Sequence, residues 1–423
     1  MAEIRPFRAW RYHSKHTHRI DSLVSPLFDV ISEKQRKQLY AEPLNSMHLS
    51  VPLGENSALR AKQKLSEWKN NGDIVQDPEP SIYVYYQYFC LPNDPVKRVR
   101  KGFVCFIKAY DYKEGIVLRH ENTIPHSVND RIELLEQTHL NVSPTHGLYT
   151  DKDFELEPYM DAAMESPIYE IEDYQGVTDA FAIIRHPEVI RFFQEKLANQ
   201  KIILADGHHR YAGSLQYRKQ MMQKLDDGEA LYNYHMIYLT NTEADDLRIL
   251  PTHRLIKDLP RFDVSQLLKD ITRFFYVKEV EDTSAINEFI MGKKWCYGVL
   301  LAEKAFVIKL REEQFKDLQW QFPEKIKALD LTVLHYFFIE KVLGIPGKYQ
   351  RSSQHIDFER NLLACYQKVN SGRADMALIT NEVHIDQVKE VCYSGYTLPQ
   401  KSTYFYPKVV CGFLFGSISP EDA

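Results

Sequence analysis

The chain is short of the features that usually give a function away. It has no apolar run approaching the ~18 residues that span a bilayer. The longest run near the C-terminus, Val409–Phe415, is interrupted by Gly412. The opening MAEIRPFRAWRYH lacks an apolar core and a small-residue cleavage site, so no secretory signal is expected. The six cysteines (Cys90, Cys105, Cys296, Cys365, Cys392 and Cys411) form no CxxC pair, which leaves a zinc ribbon or a thioredoxin-type site unsupported. They are expected to be reduced, mostly buried thiols of a cytoplasmic protein. Charge of one sign is missing as well. Lys plus Arg total 53 against 58 acids, for a net −5, and this argues against a nucleic-acid partner. No GxxxxGK[ST] is present: GIPGK (344–348) has the wrong spacing and no following Ser or Thr. Without GxGxxG or GxSxG, a Rossmann dehydrogenase and an α/β-hydrolase are unsupported too.

What is present describes a globular chain. Its 423 residues, 44% hydrophobic and 26% charged, suffice for two or three domains without disulfide or metal staples. Aromatics reach 12%, mostly Tyr and Phe, which suits sheets with half-buried faces. The segments 82–90 and 99–110, separated by LPNDP, predict a β-hairpin, with 116–120 as a third strand of an antiparallel sheet. Helices are predicted over 57–70, with Leu59, Leu65 and Trp68 near helical spacing, and over 127–139 and 186–199. Residues 201–205 (KIILA) predict a strand, DGHHR a tight loop, 211–225 a helix and 234–240 another strand. The C-terminal part predicts a hairpin at 295–310, a helix at 330–343, a strand at 375–380, a helix at 385–392 and a last strand at 405–415. The fold class is α+β, with a mixed sheet around 201–240 and a largely antiparallel one near 82–120. Polar loops and Pro260 mark a division into 1–260 and 261–423.

The segment Asp206–Arg210 gathers several anion-seeking features. Gly207 permits positive φ and close backbone approach. The first-turn amides of the following helix and its positive dipole end favour phosphate. Arg210 offers a planar fork to phosphate oxygens, His208 and His209 add donors, and Asp206 can hold Mg²⁺ or an amine. The same residues also read as an ordinary Asp-Gly turn with an N-cap. After the strand at 116–120, His120-Glu121 pairs an imidazole with a carboxylate suited to general-base work or metal ligation, although a surface loop with a salt bridge would look alike. Pro251–Arg254, with His253 and Arg254, is compact and cationic. Lys401, Ser402 and Thr403 can bind phosphate or carboxylate, or simply end an element. Asp29 reads as a turn residue.

A resemblance then becomes specific. RPFRAWRY (5–12), SPLFDVIS (25–32), RHENT (119–123) with Arg131, SPTHGLY (143–149), LADGHHRY (204–211), LPTHR (250–254) and KSTYFYPK (401–408) identify the chain as similar to members of the bacterial and archaeal domain of unknown function 1015 family. That family resembles, in its DGHHR core, the ParB/sulfiredoxin-like fold, which includes nucleotide-dependent free-serine kinases and CTP-binding ParB proteins. The resemblance implies phosphate cradling by Gly207, His208, His209 and Arg210, with Glu121 taking the proton of a serine hydroxyl and His120 assisting. It implies a phosphotransfer enzyme, serine kinase-like or dephosphorylating phosphoserine, with serine or phosphoserine as substrate, ATP or ADP as co-substrate, and Mg²⁺ at Asp206. Residues 1–260 would be the ParB/sulfiredoxin-like catalytic or nucleotide-binding region. Residues 261–423 would be an α/β region whose KSTYFYPK segment returns to the site. His209 would join catalysis, Lys401, Ser402 and Thr403 would bind phosphate, and Arg131, His253 and Arg254 would bind substrate. Two further readings are a ParB-like nucleotide-binding regulatory module without turnover and a metal-dependent hydrolase built on His120, Glu121, His208 and His209.

Overall fold

The computed structural model describes every residue except 1, 28–30, 92–93, 124, 174, 226, 261, 400 and 423. Asp29 and the Pro92-Asn93 turn therefore lie outside the described residues. The chain forms two compact units, one of Met1–Arg248 with Pro407–Ala423 and one of Ile249–Tyr406. Among the described residues, no helix is long and apolar enough to cross a membrane.

The first unit is built on a nine-stranded sheet. In chain order its strands are β1 (Ile4–Arg5), β2 (Ile82–Leu91), β3 (Asp94–Lys108), β4 (Val117–Arg119), β5 (Thr145–Tyr149), β6 (Tyr169–Glu172), β7 (Thr178–Ile184), β8 (Ile202–Asp206) and β9 (Tyr234–Asn241). They lie side by side as β4-β8-β5-β9-β3-β2-β7-β6, with β1 also on β3. The hairpin of β2 and β3 forms as its alternating aromatic and β-branched residues predict. The antiparallel expectation for 116–120 is corrected, because β4 leaves the hairpin and pairs in parallel with β8 at the sheet edge. β9 is parallel to β5, whereas β8 is antiparallel to it. The two expected sheets are thus one mixed sheet, and the α+β class stands.

Both faces of this sheet are covered. Tyr83, Tyr85, Val104, Phe106, Met236 and Tyr238 point into one core, and Ile82, Val84, Phe103, Cys105, Ile107, Ile237 and Leu239 into the other. A strand buried on both sides needs apolar residues at every position, which is why Ile82–Tyr86 show no polar alternation. Helices α1 (Ser57–Asn70), α2 (Pro125–Thr138), α3 (Pro187–Ala198) and α4 (His208–Leu225) follow the predicted spans, and α3 has proline in its first turn. In α1 the buried stripe is Ala61, Leu65 and Trp68, while Leu59 is 44% exposed. α4 starts three residues before the predicted 211, so His208 and Arg210 occupy its first turn.

The second unit holds a six-stranded sheet with antiparallel pairing throughout, including the predicted hairpin as Cys296–Leu301 and Lys304–Leu310. The predicted helix at 330–343 winds as a short α-helix, Asp330–Val333, and then in π fashion over Leu334–Val342. The predicted last strand is a second correction. Only Tyr404–Tyr406 and Gly416–Ser417 are strands. Between them Gly412 takes φ +105°, and a Cβ there would lie 2.7 Å from the Ser46 Cβ, so the chain bends where an extended strand would clash.

Candidate functional site

The parallel pairing of β4 with β8 brings the two sequence candidates together. Leu204 is opposite Arg119, and Glu121 and Asp206 each stand two residues beyond that pair. Adjacent strands run ~5 Å apart, so RHENT and DGHHR share one end of the sheet. The neighbouring strand β5 adds His146 opposite Asp206.

Gly207 makes the turn at φ +86°, and a Cβ there would come within 2.6 Å of Thr145 Cγ2, so both conformation and space demand glycine. Its carbonyl accepts from the Tyr211 amide at 3.0 Å, which makes Gly207 the N-cap of α4 and leaves the amides of His208, His209 and Arg210 in the first turn.

Asp206 lies between two cations. Lys408 Nζ is 3.0 Å from Oδ1 and Arg210 Nη2 is 3.8 Å from Oδ2. Burial works to raise the Asp206 pKa, but Lys408 and Arg210 outweigh it and hold the carboxyl well below the usual range. Arg210 Nη1 also donates to Ser143 Oγ at 2.8 Å and to the Pro144 carbonyl at 2.7 Å, both from SPTHGLY. Arg131, on α2, donates to the Ser50 carbonyl at 2.8 Å. Burial and nearby Arg210 lower the Arg131 pKa. His209 is lowered by burial, then by Arg131 and Arg210, so its ring is mainly neutral near pH 7, with one donor and one acceptor.

His120 and His208 meet edge to face with centroids 4.9 Å apart. His120 has no exposed surface, hydrogen-bonds the Leu204 backbone and is pushed down to about 4 by burial. His120 is thus a mainly neutral, buried imidazole packed against His208 behind the loop. His208 is 6% exposed with Nε2 unpartnered among the described residues, and burial drives its pKa well down.

Lys408 is the site residue that the sequence reading missed, although it ends the KSTYFYPK motif. Three side chains from the sheet hold its segment. Arg100 donates to the Pro407 carbonyl and to Gln87. Gln87 Nε2 donates to the Lys408 carbonyl at 2.9 Å and to Asp179 Oδ1 at 2.8 Å. The Tyr85 hydroxyl donates to Asp179 at 2.5 Å and accepts from the Val410 amide at 3.2 Å. Burial pushes the Asp179 carboxyl up to about 7 against these two hydrogen bonds. Spread over strands 82–108 and 178–184, this network has no local sequence signal.

The remaining candidates, His253, Arg254, Lys401, Ser402 and Thr403, belong to the second unit. Arg254 has no exposed surface and is held by the Thr252 carbonyl and by His335 Nε2 at 3.2 Å. His253 is 4% exposed and accepts from the Thr380 amide at 3.3 Å. Ser402 is 1% exposed and donates to the Pro399 carbonyl at 2.5 Å. Arg254, His253 and Ser402 are thus buried side chains of the second unit. Lys401 carries φ +51° and lies 5.5 Å from the Phe358 ring centroid.

Among the described residues, no group of three or more His, Cys, Asp or Glu is placed to hold a metal ion, so the hydrolase centre of His120, Glu121, His208 and His209 does not assemble. Asp206 can still offer one carboxylate to Mg²⁺. A carboxylate has about four lone-pair sites, and Lys408 and Arg210 engage two.

No curated protein matches the chain. Among solved structures, a free serine kinase in complex with AMP matches at 14% identity, over 73% of this chain and 92% of its own, with a TM-score of 0.36. A conserved hypothetical protein from Pyrococcus furiosus matches at 15% identity, over 75% and 95%, with a TM-score of 0.35. SbnI with a C-terminal truncation, from Staphylococcus aureus, matches at 12% identity, over 76% and 90%, with a TM-score of 0.36. The family described as Protein of unknown function (DUF1015) matches residues 4–332, and the chain belongs to that family.

Proposed function

We propose that the first unit is a phosphotransferase with a ParB/sulfiredoxin-like core that moves a phosphoryl group between a nucleotide, ATP or ADP, and the hydroxyl of free serine, in either direction. The observation that carries this reading is the loop Asp206–Arg210. It offers first-turn amides, one carboxylate fixed between Lys408 and Arg210, and a second carboxylate, Glu121, at the end of the neighbouring strand. Phosphoryl transfer asks a protein mainly for positioning and charge neutralisation, and these are the groups that supply both.

In the kinase direction, Gly207, His208, His209 and Arg210 bind the phosphates through amides, imidazole and guanidinium. Lys408 and Arg210 keep Asp206 ionised through the working pH range, so it takes no proton from the acceptor. Glu121 takes the hydroxyl proton as the serine oxygen bonds to the terminal phosphorus. The bond from that phosphorus to the bridging oxygen breaks, and the shortened nucleotide leaves. Asp206 would hold a Mg²⁺ ion, which would supply further charge neutralisation for the transfer. His120 braces the loop through His208.

Incubating the purified chain with Mg²⁺, ATP or ADP and L-serine, and separately with phosphoserine, tests the reading by ³¹P NMR. Phosphoserine formation or consumption is expected, falling about 100-fold or more in Glu121→Gln, as loss of a general base does. Turnover of neither compound by the intact chain, with nucleotide binding retained, would instead favour a nucleotide-binding regulatory module.

A further inference from the structure

Behind the loop lies a cavity of about 40 Å³ whose walls carry two guanidinium groups, Arg131 and Arg210. No acidic side chain lines it among the described residues. The two like charges are brought together by close helix packing. A Cβ at Gly213 of α4 would fall 2.8 Å from the Arg131 Cβ, so glycine is what lets α2 come this near. Two like charges lining one small cavity repel, and that arrangement is stable when an anion sits between them.

A second, independent feature points the same way. Asn141 lines the cavity, is 5% exposed, and its amide nitrogen is buried without a partner among the described residues. A buried donor left unmade is costly, and an oxyanion satisfies it. The hydroxyl of Ser214 and the ring of His235 complete the polar side. They are already bonded to each other at 2.7 Å, and His235 also reaches Thr145 Oγ1 at 3.0 Å, so they form a fixed wall. The opposite side is apolar, with Leu134, Leu135 and Val142. A volume of about 40 Å³ takes about three water-sized positions, enough for a carboxylate with one or two carbons and too small for a nucleotide.

We infer that this cavity seats the α-carboxylate of a small amino acid or hydroxy acid, gripped by Arg131 and Asn141 with Arg210 shared between this anion and the loop. The inference rests on the phosphotransferase reading only in naming the ligand as the acceptor. The apolar wall matches a short carbon chain better than a fully hydrated phosphate.

Calorimetric titration of the full chain with L-serine, glycine, D-glycerate, serinamide and inorganic phosphate tests it. Binding of the three carboxylates at millimolar concentration is expected. Serinamide, Arg131→Met and Asn141→Asp should each weaken the interaction at least about tenfold, as loss of a charge-assisted pair or insertion of a competing carboxylate requires. ATP affinity of Arg131→Met should fall by a smaller factor. Arg131→Lys keeps charge and bulk but not the planar fork, and should weaken carboxylate binding about tenfold even if the methionine variant folds poorly. Equal binding of L-serine and serinamide, no binding of any carboxylate, or Arg131-dependent binding of phosphate alone would overturn the inference. Arg131-dependent serine binding without phosphoryl transfer would leave the cavity assignment standing and remove the phosphotransferase reading.

Discussion

Arg210 and Arg254 each follow a histidine, and their fates differ. Arg210, after His209, keeps 17% of its side chain exposed, faces Asp206 and lines a cavity. Arg254, after His253, keeps none and is wrapped by the Thr252 carbonyl, His335 and the Phe358 ring. The one sits in the first turn of a helix where a strand ends. The other sits inside a strand paired on both sides. Identical chemistry in the sequence therefore means a candidate ligand group in one unit and a structural cation in the other. A fully buried charge must be matched by its own surroundings, whereas one that borders a cavity can also take up a ligand.

Alanine at each position is the sharpest way to break that contrast. Arg210→Ala should weaken nucleotide binding by about 10–100-fold, the worth of a charge-assisted bidentate contact, with little change in unfolding midpoint. Arg254→Ala should leave nucleotide affinity unchanged per folded molecule and lower stability by about 2–4 kcal/mol through stranded partners and lost packing. Equilibrium binding and urea unfolding on both variants decide it, and similar profiles for the two would dissolve the distinction.

Acid should affect the two units alike. His120 in the first and His335 in the second are pushed down by burial, to about 4 and about 3. Their unfolded pKa is ~6.5, so between that value and 4 the unfolded chain binds protons that the folded one refuses. Stability is whole above pH 6.5 and should drain by roughly 1 kcal/mol per pH unit per histidine as the pH falls toward 4. His120→Asn and His335→Asn should each flatten the slope in urea titrations between pH 7 and 4.5.

Asp179 runs the other way and has the smallest expected effect. Its folded pKa of about 7 lies above the unfolded value, so its contribution is present at low pH and is lost as the pH rises toward 7 and beyond. Asp179→Asn keeps the acceptor for Tyr85 and Gln87. It should match the wild type near pH 5 and exceed its stability by about 1 kcal/mol at pH 8.5. A variant weaker than wild type at pH 8.5 would show that the carboxylate is held ionised.

Much of the first unit could be read locally. The Ile82–Leu91 hairpin strand, α1 and α3 follow from β-branched aromatics, helical spacing and a first-turn proline. The DGHHR loop was legible as a candidate because glycine, imidazoles and a guanidinium stand together where an apolar strand ends. What failed was long-range. Residues 117–119 look like a third antiparallel strand until their partner, 85 residues further on at 202–204, is known. Residues 405–415 read as a strand because they are largely apolar, but side chains of Tyr85, Gln87 and Arg100 capture the backbone of residues 407–410 instead. Lys408 went unmarked because a lysine after a proline carries no signal, and only Asp206 gives it meaning.

The sequence by itself determined most of the first unit's strand and helix spans, the α+β class and the turn at Gly207, since each depends on residues within a few positions of one another. The tertiary structure alone decided that Glu121 and Asp206 share a sheet end, that Lys408 closes on Asp206, and that Arg131 faces Arg210 while Arg254 is sealed. Burial and electrostatics act through space, and neither depends on how far apart two residues lie along the chain.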